Sequence, residues 1–161
     1  MGGMIPLIYI PNSFFMIVGD GGMKEEIIKY AGENGLADSL YITGWVDNAM
    51  SYIEIFDVAV LLSRWEGFGL VLPEYMLARK PIVATKVDAI PSIIQDERNG
   101  LLVEPDNVER AYKAVVRLYK DRILAENVIS NSFEDVHTQF NIKRTVREHE
   151  KLFKTLISYK S

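Results

Sequence analysis

The sequence of 161 residues contains no cysteine. This absence excludes a disulfide framework and a thiolate metal site. The two histidines, His137 and His149, are far apart in a region predicted to be helical, so they do not suggest a metal site. The sequence also lacks a run of about 18 apolar residues, which means that no segment of it is predicted to span a membrane.

The sequence also has fewer basic than acidic residues. The sequence has 18 Lys and Arg against 22 Asp and Glu, a net charge of -4, which argues against nucleic acid as the main partner. Its content of 48% hydrophobic and 25% charged residues is typical of a globular protein, and its length fits one domain over residues 1–161. Residues 1–4 lack the charged region of a signal peptide and are expected to be a cloning remnant. We expect a cytoplasmic location.

Short apolar segments alternate with helical patterns along the chain. Strands are predicted at residues 14–18, 40–43, 58–62, 81–85 and 101–103. Helices are predicted at about 23–34, 47–56, from 70 onwards, 91–95, 107–120, 122–137 and 142–159. This alternation predicts an α/β fold with a parallel sheet and helices on both faces.

Three details of this pattern concern the ends of helices. Residues 5–11 are interpreted as the end of a helix that Pro11 stops. Gly35 is predicted to end the helix over 23–34. Asp47 is predicted to be the N-cap of the next helix, which would explain its carboxylate without a ligand.

Ligands of such sheets bind beyond the carboxyl ends of the strands. The loops at residues 19–22, 44–47 and 63–70 each follow a predicted strand. We therefore predict that these three loops contribute to a single site.

The stretch Ser63-Arg-Trp-Glu-Gly-Phe-Gly-Leu-Val-Leu-Pro-Glu-Tyr-Met76 has the most informative pattern. Gly67 and Gly69 allow a sharp turn and a close approach of the backbone to a ligand. Pro73 fits only in the first turn of a helix that starts near residue 70. The free N–H groups at that helix end would form a seat for phosphate, with Glu66 just outside it and Glu74 one turn into the helix.

These residues allow several interpretations. The loop Gly19-Asp-Gly-Gly22 could also cradle phosphate, but it does not match G-x-G-x-x-G, so we set a dehydrogenase aside. The pair Glu66 and Glu74 could be the two acids of a glycosidase, two separate binders of sugar-like hydroxyls, or solvated acids at a helix end. The acids Asp20, Asp47 and Asp57 do not form a convincing ligand set, so we expect no metal.

Five motifs resemble one known family. Glu66-Gly-Phe-Gly-Leu followed by Glu74 is similar to the E-x7-E signature of retaining GT-B glycosyltransferases of family GT4. This signature continues the motif Ser63-Arg-Trp-Glu66. The other four motifs follow the order and spacing of that family and cover almost the whole chain: Phe15-Met-Ile-Val-Gly-Asp-Gly21, Ile42-Thr-Gly-Trp-Val-Asp47, Lys80-Pro-Ile-Val-Ala-Thr85 and Asn99-Gly-Leu-Leu-Val103.

The resemblance implies a fold and a reaction. The chain would be the C-terminal, donor-binding, Rossmann-like half of a GT-B enzyme of the kind active in polysaccharide biosynthesis. It would bind a UDP-, GDP- or ADP-sugar as substrate, without a cofactor or metal. The sugar would pass with retention to an acceptor, which could be a glycan, a lipid or a small molecule.

The resemblance also implies roles for individual residues. Glu74 would hold the ribose hydroxyls, and Glu66 would hold the donor sugar and act in catalysis. The backbone around Val46 would face the base. The loop from Gly67 to Val71 would contact the donor sugar and diphosphate, namely Gly67, Phe68, Gly69, Leu70 and Val71. A loop near the phosphates would consist of Gly19, Asp20 and Gly21.

The chain departs from the family pattern in several places. The first strand of the domain and the whole N-terminal acceptor domain are expected to be absent, so this chain alone should bind donor weakly and be inactive. Asp88 and Ala89 replace a Gly-Gly pair, Ser92 replaces a Glu, and Arg79 stands where a helix-ending Gly is usual. A non-catalytic nucleotide-binding module and a GT-B-shaped sugar-nucleotide epimerase remain the alternatives.

The last predicted helix is basic and amphipathic. Its basic residues surround an apolar stripe of Val146, Leu152, Phe153, Leu156 and Ile157. We expect this stripe to pack on the same protein or on a neighbouring domain, and peripheral binding to anionic lipid is the alternative.

Overall fold

A computed structural model describes residue 10 and residues 12–158. The expected remnant at 1–4 and the helix end predicted at 5–11 lie outside the described residues, apart from residue 10. The chain divides into two compact units, Met1–Phe56 and Asp57–Ser161. Each unit contains its own parallel sheet. The single domain predicted over residues 1–161 stays a prediction.

In its described part, the first unit contains two strands and two α-helices. They are β1 (Phe15–Ile17), α1 (Lys24–Glu33), β2 (Leu40–Ile42) and α2 (Met50–Ile53), with a 3-10 turn at Ala37–Ser39 before β2. The two strands pair in parallel, with Phe15 opposite Leu40 and Ile17 opposite Ile42. Because the strands are parallel, the segments that follow them leave the sheet at the same edge.

Helix α1 ends where Gly35 was predicted to stop it. Gly35 has a φ of +68°, the left-handed conformation that glycine adopts without a steric cost. The N–H of Leu36 donates to the carbonyl of Ala31 at 2.8 Å, and the N–H of Gly35 donates to the carbonyl of Gly32 at 3.4 Å. These two bonds form a Schellman motif and satisfy carbonyls that the helix leaves free.

The prediction that Asp47 caps the next helix is wrong. Helix α2 begins at Met50 with Ala49 in the N-cap position, and no side chain caps it. Asp47 lies two residues before that position, in a bend of the chain, so its carboxylate is too early to act as the cap. Instead, the side-chain amide of Asn48 donates to the hydroxyl of Ser51 at 2.9 Å.

The second unit contains the remaining described elements. They are β3 (Ala59–Leu61), α3 (Val71–Leu77), β4 (Ile82–Thr85), α4 (Ile90–Ile93), β5 (Leu101–Val103), α5 (Val108–Lys120), α6 (Arg122–Gln139) and α7 (Ile142–Ser158). The strand order is β3-β4-β5, and both pairs are parallel. All four residues of the central strand β4 are buried, as expected for a parallel strand covered on both faces.

The core of the second unit lies between its sheet and the helices α5 and α6. Its buried members are Val83, Leu101, Val103, Ala111, Ala114, Leu118 and Val128. Helix α5 is capped by Asn107, whose side chain accepts from the N–H of Arg110 at 3.0 Å. Helix α6 is capped in the same way by Asp121, which accepts from the N–H of Leu124 at 3.0 Å. These caps fix where each helix begins.

The predicted Rossmann-like α/β class with parallel strands is confirmed. The strands lie where the apolar segments predicted them, with slightly narrower bounds. Helix α7 also lies where it was predicted, and none of its described residues is buried. The packing predicted for its apolar stripe stays a prediction.

Candidate functional site

The loop between β3 and α3 carries most of the predicted site residues. Two side chains that follow in the sequence hold it at the end of the sheet. The hydroxyl of Thr85, the last residue of β4, donates to the carbonyl of Ser63 at 2.6 Å. The carboxylate of Asp88 accepts from the backbone N–H of Glu66 at 2.7 Å. The loop is therefore fixed by the end of β4 and the segment after it.

The carboxylate of Glu66 folds back over its own loop. One oxygen accepts from the hydroxyl of Ser63 at 3.2 Å, and the other accepts from the backbone N–H of Gly69 at 3.2 Å. Glu66 is partly exposed, so its carboxylate also faces solvent. A carboxylate held in this way is ready to accept further hydrogen bonds from a ligand hydroxyl.

Gly69 is the position in this loop where glycine is required. Its φ is +74°, and it is buried. A Cβ atom at this position would lie 3.2 Å from the Leu72 side chain and 3.5 Å from Cγ of Glu66. The backbone conformation therefore disfavours any residue with a side chain here, and a Cβ atom would in addition require a small shift of the Leu72 side chain.

Helix α3 starts directly after this glycine. Leu70 occupies its N-cap position, and no side chain caps the helix. The N–H of Leu72 donates to the carbonyl of Gly69 at 2.9 Å. Pro73 lies in the first turn, as predicted, and Glu74 follows it in the same turn. The helix therefore begins without the acceptor that a Ser, Thr, Asp or Asn would provide.

Glu74 is partly buried and lies beside a buried tyrosine. The hydroxyl of Tyr75 donates to the carbonyl of Val60 in β3 at 3.3 Å. Burial, together with the negative charge of Glu74, raises the pKa of Tyr75 to about 12. Tyr75 therefore stays neutral at neutral pH, and its hydrogen bond ties helix α3 to β3.

Large apolar side chains surround the loop and remain accessible. Trp65 is 77% exposed and Leu70 is 73% exposed. Phe68 packs edge-on against Phe140 at the end of α6, with ring centroids 6.1 Å apart. The loop therefore exposes large apolar side chains as well as part of Glu66.

In the first unit, the structure brings together the other predicted loops. Gly19 and Gly44 form an antiparallel bridge, and the N–H of Gly19 donates to the hydroxyl of Thr43 at 3.1 Å. The side chain of Asp20 accepts from the N–H of Gly21 at 2.8 Å. One amide of the predicted phosphate loop is therefore already paired within that loop.

Val46 lines an open concavity with a volume of about 600 Å³. Its lining consists of Trp45, Val46, Asp47, Asn48, Ser51, Tyr52 and Ile55. Trp45 is 84% exposed and provides a flat apolar wall, while Asp47 and Asn48 provide polar atoms. A cavity that combines an aromatic face with a few polar groups suits a small planar ligand.

The predicted site residues thus fall into two groups. Glu66, Glu74 and the residues 67–71 between them lie together in the second unit, and Val46 lies near residues 19–21 in the first. The roles predicted for these residues, and their union in a single site, stay predictions.

Two residues that hold the central loop were missed as contributors to the site. Thr85 was assigned only to a strand, although a polar residue at the end of a buried apolar strand is a signal for such a contact. Asp88 was noted only as a departure from a family pattern, and no local signal in the sequence predicts its bond to a residue 22 positions earlier.

Among the described residues, no group of three or more His, Cys, Asp or Glu side chains is arranged to hold a metal ion. The absence of a metal therefore stays a prediction. None of the helices in the described part is long and apolar enough to cross a membrane.

Comparison with known proteins identifies the family. The family model "Glycosyl transferases group 1" matches residues 6–135. The chain is 35% identical over 120 residues to alpha-D-kanosaminyltransferase of Streptomyces kanamyceticus, covering 73% of this chain and 31% of that protein. It is 30% identical over 138 residues to N-acetyl-alpha-D-glucosaminyl L-malate synthase of Bacillus anthracis, covering 86% of this chain and 36% of that protein.

A solved structure agrees with these relatives. A mutant of S. aureus TarM, crystallised with Fondaparinux, alpha-GlcNAc-glycerol and UDP, superposes with a TM-score of 0.80 at 27% identity. The match covers 87% of this chain and 29% of TarM. The chain thus spans about a third of the length of these relatives, and its Rossmann-like fold corresponds to one part of GT-B glycosyltransferases. It belongs to the group 1 glycosyltransferase family.

Proposed function

We propose that this chain binds the nucleotide-diphosphate sugar of a retaining glycosyltransferase that needs no metal ion. The observation that carries the proposal is the arrangement of Glu66 and Glu74 on either side of the start of α3. Glu66 is fixed beside the amide of Gly69, and Glu74 lies in the first turn of the helix. Two carboxylates around an uncapped helix start suit a ligand with hydroxyls on both sides of a diphosphate.

Each residue has a role in this proposal. Glu74 accepts hydrogen bonds from the ribose hydroxyls, and Glu66 accepts them from the donor sugar. The backbone of residues 67–71 faces the diphosphate and the sugar. The flat wall of the cavity at Val46 suits the base, and the loop of Gly19, Asp20 and Gly21 is proposed as a further contact of the phosphates.

The chemistry of transfer follows from these roles. When the sugar leaves, negative charge develops on the nucleoside diphosphate, and preorganised N–H groups stabilise that charge. The proposal assigns further basic groups and the acceptor site to the parts of such enzymes that this chain does not match, about two thirds of their length. We therefore expect this chain alone to bind donor weakly and to transfer no sugar. The cytoplasmic location and the acceptor stay predictions.

The comparisons support a nucleotide as the ligand. The TarM structure contains UDP, and both sequence relatives are named for the sugars that they transfer or join. UDP is therefore the first nucleotide to test, with GDP and ADP as competitors.

Ligand-observed NMR on this chain tests the proposal. Saturation transfer to ribose protons is measured for UDP, GDP, ADP and their glucose and N-acetylglucosamine forms. We expect transfer with one nucleotide series and its loss in Glu74→Ala. Glu126→Ala is the matched control, because Glu126 is an exposed acid of α6 outside the loop and α3. Equal transfer in Glu74→Ala and Glu126→Ala would contradict the proposed ribose contact.

A further inference from the structure

We propose that Asp88 is a positioning residue for Glu66 and thereby sets how strongly the site holds the sugar part of its ligand. This inference rests on the proposed function, because it assigns Asp88 a role in sugar binding through Glu66. Its physical basis is a hydrogen bond between two loops that follow neighbouring strands of one sheet.

The first observation is the backbone of Asp88. Its φ is +43°, in the left-handed region that costs most residues about 1–2 kcal/mol and that Gly adopts freely. A glycine at this position would therefore remove the strain. Asp and Asn enter this region more readily than other residues with a side chain, because their short polar side chains can form hydrogen bonds there. An aspartate held in this conformation therefore points to a hydrogen bond made by its side chain.

The second observation is what that side chain does. One carboxylate oxygen of Asp88 accepts from the N–H of Glu66 at 2.7 Å. A carboxylate is a stronger acceptor for an N–H group than a neutral oxygen, and glycine offers no side-chain acceptor at all. The bond spans 22 residues of sequence, so it fixes one loop to another and not merely a local turn.

The third observation is that Glu66 has little freedom left once this bond is made. The loop is already tied at Ser63 by the hydroxyl of Thr85. The bond to Asp88 adds a second tie three residues later, at the backbone of Glu66 itself. The carboxylate of Glu66 is then placed between the hydroxyl of Ser63 and the N–H of Gly69.

The consequence concerns one part of the ligand. Glu66 is the proposed partner of the sugar hydroxyls, whereas Glu74 in α3 is the proposed partner of the ribose. Asp88 contacts the backbone of Glu66 and has no contact of this kind with Glu74. Loss of the side-chain acceptor at Asp88 therefore weakens binding of the sugar part and leaves binding of the nucleotide part unchanged.

Two variants show whether Asp88 positions Glu66 or only allows the backbone to turn. Asp88→Gly relieves the backbone strain and removes the acceptor. Asp88→Asn keeps a side-chain oxygen that can accept the N–H of Glu66, and Asn also tolerates the left-handed conformation. If Asp88 were only a turn residue, Asp88→Gly would behave like the unaltered chain. If it positions Glu66, Asp88→Asn retains the effect and Asp88→Gly loses it.

The first readout needs no ligand. Amide hydrogen exchange at Glu66 is measured by NMR in the unaltered chain and both variants. We expect exchange about tenfold faster in Asp88→Gly, as the loss of one charge-assisted hydrogen bond implies, and a smaller change in Asp88→Asn. Unchanged exchange in Asp88→Gly would overturn the inference, because the bond would then not hold the loop.

The second readout is a ratio of dissociation constants, the Kd for UDP divided by the Kd for a UDP-sugar. The UDP-sugar is the one that binds best among UDP-glucose, UDP-galactose and UDP-N-acetylglucosamine. We expect this ratio to fall about fivefold in Asp88→Gly, with the Kd for UDP unchanged within about twofold. A ratio that stays the same in Asp88→Gly would overturn the inference, as would a ratio of one in the unaltered chain.

The two proposals can fail separately. If the unaltered chain binds none of these nucleotides, the proposed function fails, and the role in sugar binding fails with it. The exchange at Glu66 then still decides whether Asp88 fixes the loop. If nucleotides bind and Glu74→Ala abolishes binding, but Asp88→Gly leaves the ratio unchanged, only the inference about Asp88 fails.

Discussion

The guanidinium carbon of Arg79 lies 3.6 Å from the centroid of the Phe133 ring. Arg79 follows helix α3 with a φ of +54°, and Phe133 belongs to α6. The N–H of Arg79 donates to the carbonyl of Met76 at 3.1 Å, and the N–H of Lys80 donates to the carbonyl of Tyr75 at 3.0 Å. This is a Schellman motif with arginine in the glycine position, so the cation–π contact offsets the backbone strain.

The first prediction compares two substitutions of Arg79. Arg79→Ala keeps the strained backbone and loses the ring contact, so we expect it to lower the free energy of unfolding by about 1 kcal/mol. Arg79→Gly also loses the contact but relieves the strain, so it should be more stable than Arg79→Ala by about 1 kcal/mol. Urea unfolding of both variants measures the difference.

Phe133→Leu provides the control for this prediction. In that background the ring is absent, so Arg79→Ala should have an effect close to zero. An equal cost of Arg79→Ala with and without the ring would show that the contact contributes nothing to stability.

The second prediction concerns the acid Asp135 on α6, whose side chain is 8% exposed. It accepts from both terminal nitrogens of Arg98, at 2.5 and 3.0 Å, and from the side-chain amide of Asn99 at 2.7 Å. Burial opposes ionisation of this carboxyl, but the hydrogen bonds from Arg98 and Asn99 and the charge of Arg98 outweigh burial and hold its pKa below the usual value.

The sign of the pH dependence follows from this lowered pKa. The ionised form is favoured by folding, so its contribution is present above the pKa of an unfolded Asp, about 3.9, and is lost as the pH falls through the lower pKa of the folded state. We expect Asp135→Asn to cost about 2 kcal/mol at pH 7, at the low side for a buried pair because Arg98 is partly exposed. The cost of Asp135→Asn should become smaller as the pH falls below about 4.

Urea unfolding at pH 7 and at about pH 3 measures this change. Glu126→Gln on the same helix is the control, since Glu126 is exposed, and it should show a small difference at both pH values. A constant cost of Asp135→Asn across this range would refute the role of its charge.

The parts of the fold that local patterns determine were predicted from the sequence. The apolar segments indicated the positions of the parallel strands. Gly35 marked the end of a helix because glycine adopts the left-handed conformation freely, and Pro73 marked the start of another because proline lacks the N–H that a helix interior needs. The E-x7-E stretch was placed correctly as a loop followed by a helix start.

The parts that depend on long-range side-chain contacts were not predicted. The bond from Asp88 to Glu66 joins residues 22 positions apart, and that from Arg98 to Asp135 joins residues 37 positions apart. Neither has a periodicity or a short motif in the sequence. The error at Asp47 has a related cause, because an acid before an apolar segment is common both in caps and in the bends that precede them.

The third prediction concerns Gly100, directly before β5. A Cβ atom there would lie 2.9 Å from the Ile94 side chain and 3.2 Å from the backbone oxygen of Ile82. Because Ile82 is fully buried in β4, its backbone cannot move aside easily. We expect Gly100→Ala to lower the free energy of unfolding by about 2 kcal/mol.

Gly32 in α1 offers the opposite case as a control. Nothing lies within 4 Å of the Cβ position there, and the residue is helical. Gly32→Ala should therefore raise stability by about 0.5–1 kcal/mol. Thermal unfolding of the two variants distinguishes them, and a Gly100→Ala variant as stable as the unaltered chain would show that the strand end has room to shift.

The fourth prediction uses Tyr75, the residue that ties α3 to β3. Its pKa is raised to about 12 by burial and by the charge of Glu74, against about 10 for an unfolded Tyr. The neutral form is therefore favoured by folding. Its contribution to stability is complete below pH 10 and is lost as the pH rises towards 12.

Tyr75→Phe removes both the hydrogen bond to Val60 and this titration. We expect it to cost about 1 kcal/mol at pH 8, since it loses one hydrogen bond. At pH 11 Tyr75 is ionised in the unfolded chain but not in the folded one, which lowers the stability of the unaltered chain and not that of the variant. The difference in unfolding free energy between the two should therefore fall towards zero or reverse. Urea unfolding at both pH values measures this, with Tyr119→Phe on the exposed side of α5 as the control. The same cost at pH 8 and pH 11 would mean that Tyr75 ionises as easily in the folded chain as in the unfolded one, and that burial and the charge of Glu74 do not raise its pKa.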